Sequence, residues 1–373
     1  MKVAFRADAS LHIGTGHVMR CLTLADALAA RGAECHFICR EHAGHLVDFI
    51  RAKGYVVHPL TVLDPVHAEA IGFEPYPNKA EAPYHQWLGA TQGQDAQASA
   101  PLLATLEPDW LIVDHYALDA RWERSLAPHY GRLMVIDDLA DRAHECDVLL
   151  DQTFGRDSED YRPLVPPRCR VLCGSEYALL RPEFAALRPY SLQRRAEPRL
   201  RELLISMGGV DKDNATGQVL EALRASPLSP ECRITVVMGA AAPWLEDVQH
   251  LAQRMPWPTR VLVGVSDMAQ LMADSDLSIG AAGATSWERC CMGLPSIILV
   301  LADNQLKIAH VVSEAGGARL MEVTTLKCQQ LIACEDLTPQ TLSAMSTAAA
   351  AICGGLGVFL VLPMLTLKAQ DAN

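Results

Sequence analysis

The sequence predicts an α/β protein with two doubly wound domains, each built around a parallel sheet. Short apolar runs alternate with segments of helix length from residue 3 to about residue 175, and the same alternation restarts at residue 200 and continues to about residue 315. Runs such as residues 110–113 are continuously apolar, which is typical of strands covered on both faces of a parallel sheet. A chain of 373 residues is long enough for two domains of ordinary size.

The predicted elements of the first domain begin with a strand at residues 3–5 and a helix that runs from a glycine-rich loop to about residue 30. Helices are also predicted at residues 41–53 and 95–106. The remaining apolar runs predict strands at residues 35–39, 55–60, 110–113, 133–136, 148–150 and 169–173.

A long irregular loop is predicted after the third of these strands. Residues 61–93 hold four prolines among polar and aromatic residues, and loops of this length inside a compact domain are usually functional or mobile. The side chains of Tyr76, Tyr84, His85 and Trp87 either reach a ligand or pack the loop onto its own domain, and packing is the favoured interpretation.

The second domain follows a segment of different composition. Residues 157–198 contain six prolines and many arginines, which is typical of a connection between domains. We therefore predict a first domain over 1–175, a connection over 176–198, a second domain over 199–355 and an apolar tail of unknown role over 356–373. Strands of the second domain are predicted at 200–206, 234–238, 260–263, 276–279 and 296–301.

Composition excludes several classes of function. The chain has 32 basic and 44 acidic residues, a net charge of −12, and so lacks the basic surface that general nucleic-acid binding requires. No signal peptide precedes the first strand, and none of the 12 cysteines forms a Cys-x-x-Cys pair, so we expect a cytoplasmic protein with reduced cysteines. No Cys or His spacing predicts a metal site, and we expect neither a metal nor a cofactor.

The loop Gly14-Thr15-Gly16-His17 is the first candidate site. Its glycines allow a sharp turn and a close approach to a ligand, and His17 lies on the first turn of the helix that follows. The positive end of the helix dipole disfavours an imidazolium there, so His17 is a candidate general base. The alternative is an ordinary strand-to-helix turn, because the full dinucleotide-binding fingerprint is absent.

Acidic residues follow several predicted strands, where ligands of open α/β sheets bind. Asp8 and Asp114 are as well explained by a role in the site as by capping of the next segment. Asp137, Asp138 and Asp151 are better explained as caps.

Two glycine-rich turns of the second domain are candidate phosphate-binding loops. One contains Gly208 and Gly209, and the other runs through Gly280 to Ser286. Glu288, on the first turn of the next helix, is well placed to accept hydrogen bonds from the two hydroxyls of a ribose, although helix-start electrostatics alone also explain it. The two sets of turns would face each other across a cleft between the domains.

These residues carry a family resemblance. The chain resembles the PseG family, the UDP-2,4-diacetamido-2,4,6-trideoxy-β-L-altropyranose hydrolases of pseudaminic acid biosynthesis, which have the GT-B fold and are similar to the transferase that adds GlcNAc to lipid-linked peptidoglycan precursors. The resemblance spans roughly residues 1–355. It rests on these segments, in order: Phe5-Arg6-Ala7-Asp8-Ala9-Ser10, Gly14-Thr15-Gly16-His17-Val18-Met19-Arg20-Cys21, Val113-Asp114-His115-Tyr116, Gly174-Ser175-Glu176-Tyr177-Ala178-Leu179-Leu180-Arg181-Pro182-Glu183-Phe184, Ser206-Met207-Gly208-Gly209, Thr285-Ser286-Trp287-Glu288 and Asp303-Asn304-Gln305.

The resemblance implies a hydrolase that needs no metal and releases UDP and the free sugar with inversion at the anomeric carbon. It implies that His17 activates the water, that the turn at Gly283, Ala284, Thr285 and Ser286 takes the diphosphate and Glu288 the ribose, and that Gln305 lies near the sugar or the phosphates. From the residues themselves we infer that Asp8 orients His17 or the water. The remaining expected substrate-binding residues are Gly14, Gly16, Asp114, Tyr116, Gly208 and Gly209.

Two other functions stay open: a glycosyltransferase that uses a UDP-sugar donor and grips an acceptor with the loop 61–93, and a non-catalytic sugar-nucleotide sensor or scaffold. The tail departs from the family pattern, because residues 337–367 carry no charge. A diverged end, a packing helix and a membrane contact are its three explanations, in that order of preference.

Overall fold

The computed structural model describes residues 1–62, 84–226, 228–322 and 337–366. Most of the predicted loop 61–93, including Tyr76, and the last residues of the apolar tail lie outside the described residues. The chain divides into two units, which we call the first and the second unit. The first unit comprises Met1–Leu179 and the segment from Val358 onward, and the second comprises Leu180–Gly357.

The first unit is built on a parallel sheet with the strand order β3-β2-β1-β4-β5-β6-β7 among the described residues. From β1 the strand order runs outward in both directions, through β2 and β3 on one side and through β4 to β7 on the other, so the order reverses between the parallel neighbours β1 and β4. Ala7 lies opposite Asp114 at this point. Ligands of doubly wound sheets bind at such a reversal of strand order. The strands are β1 (Lys2–Ala7), β2 (Glu34–Arg40), β3 (Val56–Leu60), β4 (Trp110–Asp114), β5 (Arg132–Ile136), β6 (Val148–Asp151) and β7 (Arg170–Cys173).

Helices of the first unit cover this sheet with one apolar face each. In α1 the side chains of Val18, Cys21, Leu22 and Leu28 recur at helical spacing and are buried in the core beneath the sheet. The helices are α1 (Gly16–Ala29), α2 (Val47–Ala52), α3 (Gln92–Leu106) and α4 (Ala120–Leu126). The helix predicted over 41–53 is therefore shorter at its start than expected.

The second unit contains a parallel sheet with the order β10-β9-β8-β11-β12-β13 in the part of the chain that the structure describes. Its strands are β8 (Glu202–Ser206), β9 (Arg233–Met238), β10 (Thr259–Val263), β11 (Leu277–Ala281), β12 (Ser296–Val300) and β13 (Ala318–Glu322). The sequence prediction missed β13, an edge strand whose charged Arg319 and Glu322 interrupt the apolar pattern.

The helices of the second unit begin with α5, which occupies most of the segment 176–198 that the composition predicted as a connection. Its Arg188 donates hydrogen bonds to the carbonyl oxygens of Cys291, Ala350 and Cys353 and so ties the helix to the second unit. The helices are α5 (Pro182–Arg194), α6 (Ala215–Arg224), α7 (Leu245–Ala252), α8 (Met268–Asp274), α9 (Ala284–Cys291), α10 (Leu306–Glu314) and α11 (Pro339–Ile352).

A last helix, α12 (Gly357–Thr366), returns the chain to the first unit. Val361, Leu362 and Leu365 are buried in the same core as β1 and β4, and the indole N–H of Trp110 donates to the carbonyl oxygen of Leu365 at 2.9 Å. The described part of the apolar tail is therefore a packing helix, the second of the three explanations that the sequence left open.

By length and composition alone, the stretch Pro339–Thr366 is also long and apolar enough to cross a membrane. Half of its most apolar window is buried inside the structure, however, and core helices of soluble proteins pass the same test. The stretch is also divided into α11 and α12 by four residues, 353–356, outside either helix.

We predict that α12 stabilises the first unit through its buried face. Leu362→Ala leaves a cavity in the core and is expected to lower the free energy of unfolding by about 2–5 kcal/mol. Phe359 lies on the same helix but is 52% exposed, so Phe359→Ala is the matched control and should cost less than about 1 kcal/mol. Urea denaturation measures both, and equal effects of the two substitutions would contradict this packing.

Candidate active site

His17 lies on the first turn of α1 and is held by a carboxylate at the end of β4. Its Nδ1 atom is 2.6 Å from Oδ1 of Asp114, and its side chain is only 9% exposed. Arg20, one helical turn further on, donates to both oxygens of the same carboxylate, at 2.5 Å from Nε and 2.6 Å from the second terminal nitrogen. The i, i+3 spacing places His17 and Arg20 on one face of α1, toward Asp114.

The charge of Asp114 decides which nitrogen of His17 carries a proton. Burial raises the pKa of the Asp114 carboxyl, but the charges of Arg20 and His17 and their hydrogen bonds together outweigh it, and the net pKa is well below its usual range. An ionised Asp114 accepts a hydrogen bond, so Nδ1 of His17 carries a proton, and in the neutral form of the ring Nε2 keeps its lone pair. This arrangement of carboxylate and imidazole is the one that a general base requires.

Among the described residues His17 is paired with Asp114 and not with Asp8, so the inferred orientation of His17 by Asp8 is wrong, whereas the orientation of the water by Asp8 stays a prediction. The Oδ1 atom of Asp8 accepts from the guanidinium of Arg6 at 2.6 Å and from the backbone N–H of Arg40 at 2.7 Å, and its Oδ2 atom faces His115 at 3.3 Å. Burial raises and Arg6 lowers the pKa of Asp8, and the net pKa is well below its usual value. Asp8 is thus a buried, ionised link between β1, β2 and the residues that follow β4.

Tyr116, predicted as a substrate-binding residue, contacts both His17 and Asp138. Its hydroxyl donates to Oδ1 of Asp138 at 2.5 Å, and burial raises the pKa of this hydroxyl well above its usual value. The ring of Tyr116 meets the ring of His17 edge to face, with centroids 4.6 Å apart. Tyr116 therefore contacts the imidazole and restrains it, while its hydroxyl is occupied by Asp138.

Two aromatic side chains near the end of the predicted loop 61–93, Tyr84 and Trp87, complete the surroundings of His17. Trp87 stacks on Tyr116 with centroids 5.6 Å apart, and Tyr84 contacts both rings at 4.8 Å and 5.1 Å. The centroid of Trp87 is 6.4 Å from that of His17. We call Tyr84, Trp87 and Tyr116 the aromatic cluster.

The loop before α1 has the open form that the glycines predicted. Gly14 has φ +79°, a conformation that favours glycine, and a Cβ atom there would meet no other heavy atom within 4 Å. The hydroxyl of Ser10 accepts hydrogen bonds from the backbone N–H groups of His12 and Ile13, which fixes the turn. Gly16 is the first residue of α1 and is equally unobstructed.

The second unit places the predicted diphosphate loop at the start of α9. Gly283 has φ +153°, a conformation unfavourable for other residues, and a Cβ atom there would also meet open space. Ala284 and Thr285 form the first turn, whose N–H groups have no acceptor four residues earlier within the helix. The hydroxyl of Ser286 accepts from the N–H of Gly283 at 3.3 Å and from the guanidinium of Arg289 at 2.9 Å.

Glu288 follows on the same helix, and its side chain is partly buried. Burial raises the pKa of its carboxyl to about 7, although the positive charges of Arg181 and Arg289 oppose the shift. Near neutral pH, Glu288 therefore exists both as an acid that donates a hydrogen bond and as a carboxylate that accepts two.

The remaining predicted residues of the second unit lie in turns after its strands. Gly208 and Gly209 form the turn after β8, and Gln305 ends the short 3-10 turn Asp303–Gln305 after β12. The side-chain carbonyl of Gln305 accepts from the backbone N–H of Leu301 at 2.9 Å, so this oxygen holds the turn together. Among the described residues no group of three or more His, Cys, Asp or Glu side chains is arranged to hold a metal ion.

Sequence reasoning did not find Arg20 as a partner of this site, nor did it pair His17 with Asp114. A signal for Arg20 was present in the spacing His17-x-x-Arg20, which places both side chains on one helix face. The pairing with Asp114 depends on β1 and β4 being neighbours, which local sequence does not reveal.

Comparisons with known proteins bear on the family and the fold of this chain. Residues 205–352 match the glycosyltransferase family 28 C-terminal domain. Over 85% of its length the chain is 27% identical to the UDP-2,4-diacetamido-2,4,6-trideoxy-beta-L-altropyranose hydrolase of Campylobacter jejuni, and the match covers 97% of that protein. The spore coat polysaccharide biosynthesis protein SpsG of Bacillus subtilis is 30% identical over 42% of this chain and 45% of its own. The resemblance to the PseG family is confirmed.

A solved structure supports the predicted fold. MurG of Acinetobacter baumannii superposes with a TM-score of 0.68 over 98% of this chain and 99% of its own, at 15% sequence identity. At this identity the match concerns the fold alone, and it confirms the GT-B class that the sequence predicted.

We predict that Asp114 stabilises the first unit as well as orienting His17. Asp114→Asn leaves the buried Arg20 without its main counter-ion and should lower the free energy of unfolding at pH 7 by about 3–5 kcal/mol. Asp141→Asn, at an ion pair whose carboxylate is 45% exposed, is the control and should cost at most about 1 kcal/mol.

Because the folded-state pKa of Asp114 is lowered, the contribution of Asp114 to stability is present above pH about 4 and is lost as the pH falls further. Urea denaturation at pH 7 and pH 3 measures this, and a loss no larger than that of Asp141→Asn would contradict it.

We predict that Glu288→Gln raises the melting temperature at pH 8.5 and changes it much less at pH 5. The folded-state pKa of about 7 exceeds the usual value of about 4.3, so the folded protein keeps a proton that the unfolded chain releases. Ionisation of Glu288 therefore destabilises the fold increasingly between pH about 4 and 7, and glutamine removes that cost. Glu221→Gln, on the exposed face of α6, is the control for thermal denaturation at both pH values. Equal shifts at the two pH values for Glu288→Gln would contradict the raised pKa.

Proposed function

Starting from the relationship to the PseG family, we propose that this protein hydrolyses UDP-2,4-diacetamido-2,4,6-trideoxy-β-L-altropyranose to UDP and the free sugar. The observation that carries the proposal is the 2.6 Å contact between Nδ1 of His17 and the ionised Asp114, which leaves Nε2 as a proton acceptor. The position of His17 beside the reversal point of the sheet supports the same assignment, because ligands bind there.

In the proposed reaction, Nε2 of His17 takes a proton from a water molecule while the water oxygen attacks the anomeric carbon. The bond between this carbon and the oxygen of the β-phosphate breaks, and UDP leaves with the electron pair. Attack from the face opposite UDP inverts the anomeric carbon, as in inverting glycosidases. The imidazolium that forms lies against the carboxylate of Asp114, which stabilises it until the proton passes to solvent.

The second unit would bind the leaving group. The N–H groups at the start of α9 and the open turn at Gly283 suit a diphosphate, since a helix N-terminus favours negative charge. Glu288 would accept from the ribose hydroxyls, and the turn of Gly208 and Gly209 would approach the phosphates. These backbone donors stabilise the charge that develops on UDP, and we therefore propose a reaction that needs no metal ion.

A glycosyltransferase that uses a UDP-sugar is the second candidate. The match of residues 205–352 to the glycosyltransferase family 28 C-terminal domain favours it, and fold does not separate the two reactions. A transferase would transfer its sugar only when an acceptor is present, whereas a hydrolase needs water alone.

Proton NMR of the purified protein with the proposed substrate and EDTA, without acceptor, separates these candidates. Appearance of UDP and of the inverted free anomer is the expected result. An intact substrate that nevertheless binds would contradict hydrolysis and favour a transferase or a sensor. Loss of activity with EDTA that added divalent ions restore would contradict metal independence.

We predict that His17→Asn lowers kcat by about two to four orders of magnitude, which is the usual contribution of a general base. Asparagine retains a polar side chain on the first turn of α1 but cannot take up the proton. The Kd of UDP, measured by calorimetry, should stay within about twofold of the wild-type value, because the proposed nucleotide site lies in the second unit. A kcat close to that of the wild type would remove His17 from the mechanism.

A further inference from the structure

The aromatic cluster adjoins His17, which must lie close to the sugar if it is the base. A water molecule held by Nε2 of His17 lies about 2.8 Å from that nitrogen, and the carbon it attacks lies about 3–3.5 Å beyond. The reacting carbon is therefore roughly 6 Å from the imidazole. The centroid of Trp87 is 6.4 Å from that of His17, so the indole lies at a distance from His17 similar to that of the reacting carbon.

Within the aromatic cluster, Trp87 has the side chain suited to touch a ligand. Tyr116 is buried, and its hydroxyl is taken up by Asp138. Trp87 covers Tyr116 in a stacked arrangement, with an interplanar angle of 27°, yet its own side chain is only partly buried. Part of the Trp87 side chain therefore remains available for contact.

The chemistry of the proposed substrate matches such a surface. A 2,4-diacetamido-2,4,6-trideoxy sugar carries a methyl group at C6 and two acetyl methyl groups, where common hexoses carry hydroxyls. Aromatic side chains bury large apolar areas with little loss of conformational freedom, and an indole surface favours methyl groups over hydroxyls.

We propose that Trp87 is a specificity-determining residue, which binds the apolar methyl-bearing part of the sugar and holds the ring beside His17. The proposal rests on the proposed function, because it takes the substrate to be a UDP-linked N-acetylated deoxy sugar. Tyr84, in contact with both Trp87 and Tyr116, positions the indole. The selectivity of the site for deoxy, acetylated sugars then comes from residues near the end of the predicted loop 61–93.

The experiment compares Trp87→Ala and Trp87→Phe with the wild type. Trp87→Ala is expected to raise KM for the diacetamido substrate by about tenfold or more, the size of effect that a lost apolar contact has on substrate discrimination. Trp87→Phe should restore most of this loss. The Kd of UDP and the inhibition constant of UDP-GlcNAc, which has a hydroxyl at C6 and one acetyl group, should change by less than about threefold.

Phe49→Ala is the matched control, because Phe49 is an aromatic residue of α2 in the same unit and is 43% exposed. It should leave KM unchanged. Melting temperatures of all variants separate a loss of contact from a loss of fold. A KM for Trp87→Ala within twofold of the wild type, or a fall in UDP affinity as large as the rise in KM, would overturn the proposal.

Failure of the proposed function is distinguishable from failure of this inference. If the wild type releases no UDP from the diacetamido substrate, hydrolysis fails, and calorimetry with the intact substrate then tests Trp87. Tighter binding of this UDP-sugar than of UDP, lost in Trp87→Ala and kept in Phe49→Ala, would support the role of Trp87. An unchanged ratio of the two affinities would overturn it.

Discussion

The carboxylate of Asp114 is the constraint on which the candidate site of the first unit depends. It ends a buried strand, so its backbone is fixed by the pairing of β4 with β1 and β5. Arg20 fixes the carboxylate itself through two hydrogen bonds and keeps it ionised despite burial. Nδ1 of His17 then has a hydrogen-bond acceptor, the Asp114 carboxylate, in a fixed position. This contact sets both the tautomer of the ring and the direction in which Nε2 points. His17 therefore has a fixed orientation although the loop before it is open around Gly14, because the orientation is set by Asp114 at the end of β4.

Asp8 and Asp114 show how similar sequence positions acquire different roles. Both follow apolar runs on neighbouring strands, and both are buried and ionised. Asp8 lies next to Arg6 on its own strand and accepts from the backbone of β2, so its contacts join strands. Asp114 instead faces the first two turns of α1, where a histidine and an arginine share one face. The side chains around a carboxylate at a strand end therefore determine whether it joins strands or orients a candidate catalytic residue.

Much of the fold was predictable from local sequence, whereas the decisive contacts were not. Continuous apolar runs predicted most strands, and the family resemblance carried by motifs at their ends implied the GT-B fold. The partner of His17 was missed because it is 97 residues away in the chain and depends on strand order. Tyr116 was predicted to bind the substrate, but the hydrogen bond from its hydroxyl to Asp138 was not foreseen, because Asp138 follows a different strand. For the apolar tail, hydropathy cannot distinguish the interior of a bilayer from the interior of a protein. The packing of α12 is shown instead by the burial of Leu362 and Leu365 in the core of the first unit.

The burial of His17 bears on the choice between hydrolysis and transfer. The side chain of His17 is only 9% exposed, and the centroid of the Tyr116 ring lies 4.6 Å from that of the imidazole. On the proposed function, a water molecule is small enough to reach such a shielded base, whereas an acceptor hydroxyl brings the rest of its molecule with it. The aromatic cluster that we assign to sugar recognition would therefore also favour water, and one group of side chains would set both the sugar that is bound and the nucleophile that attacks it.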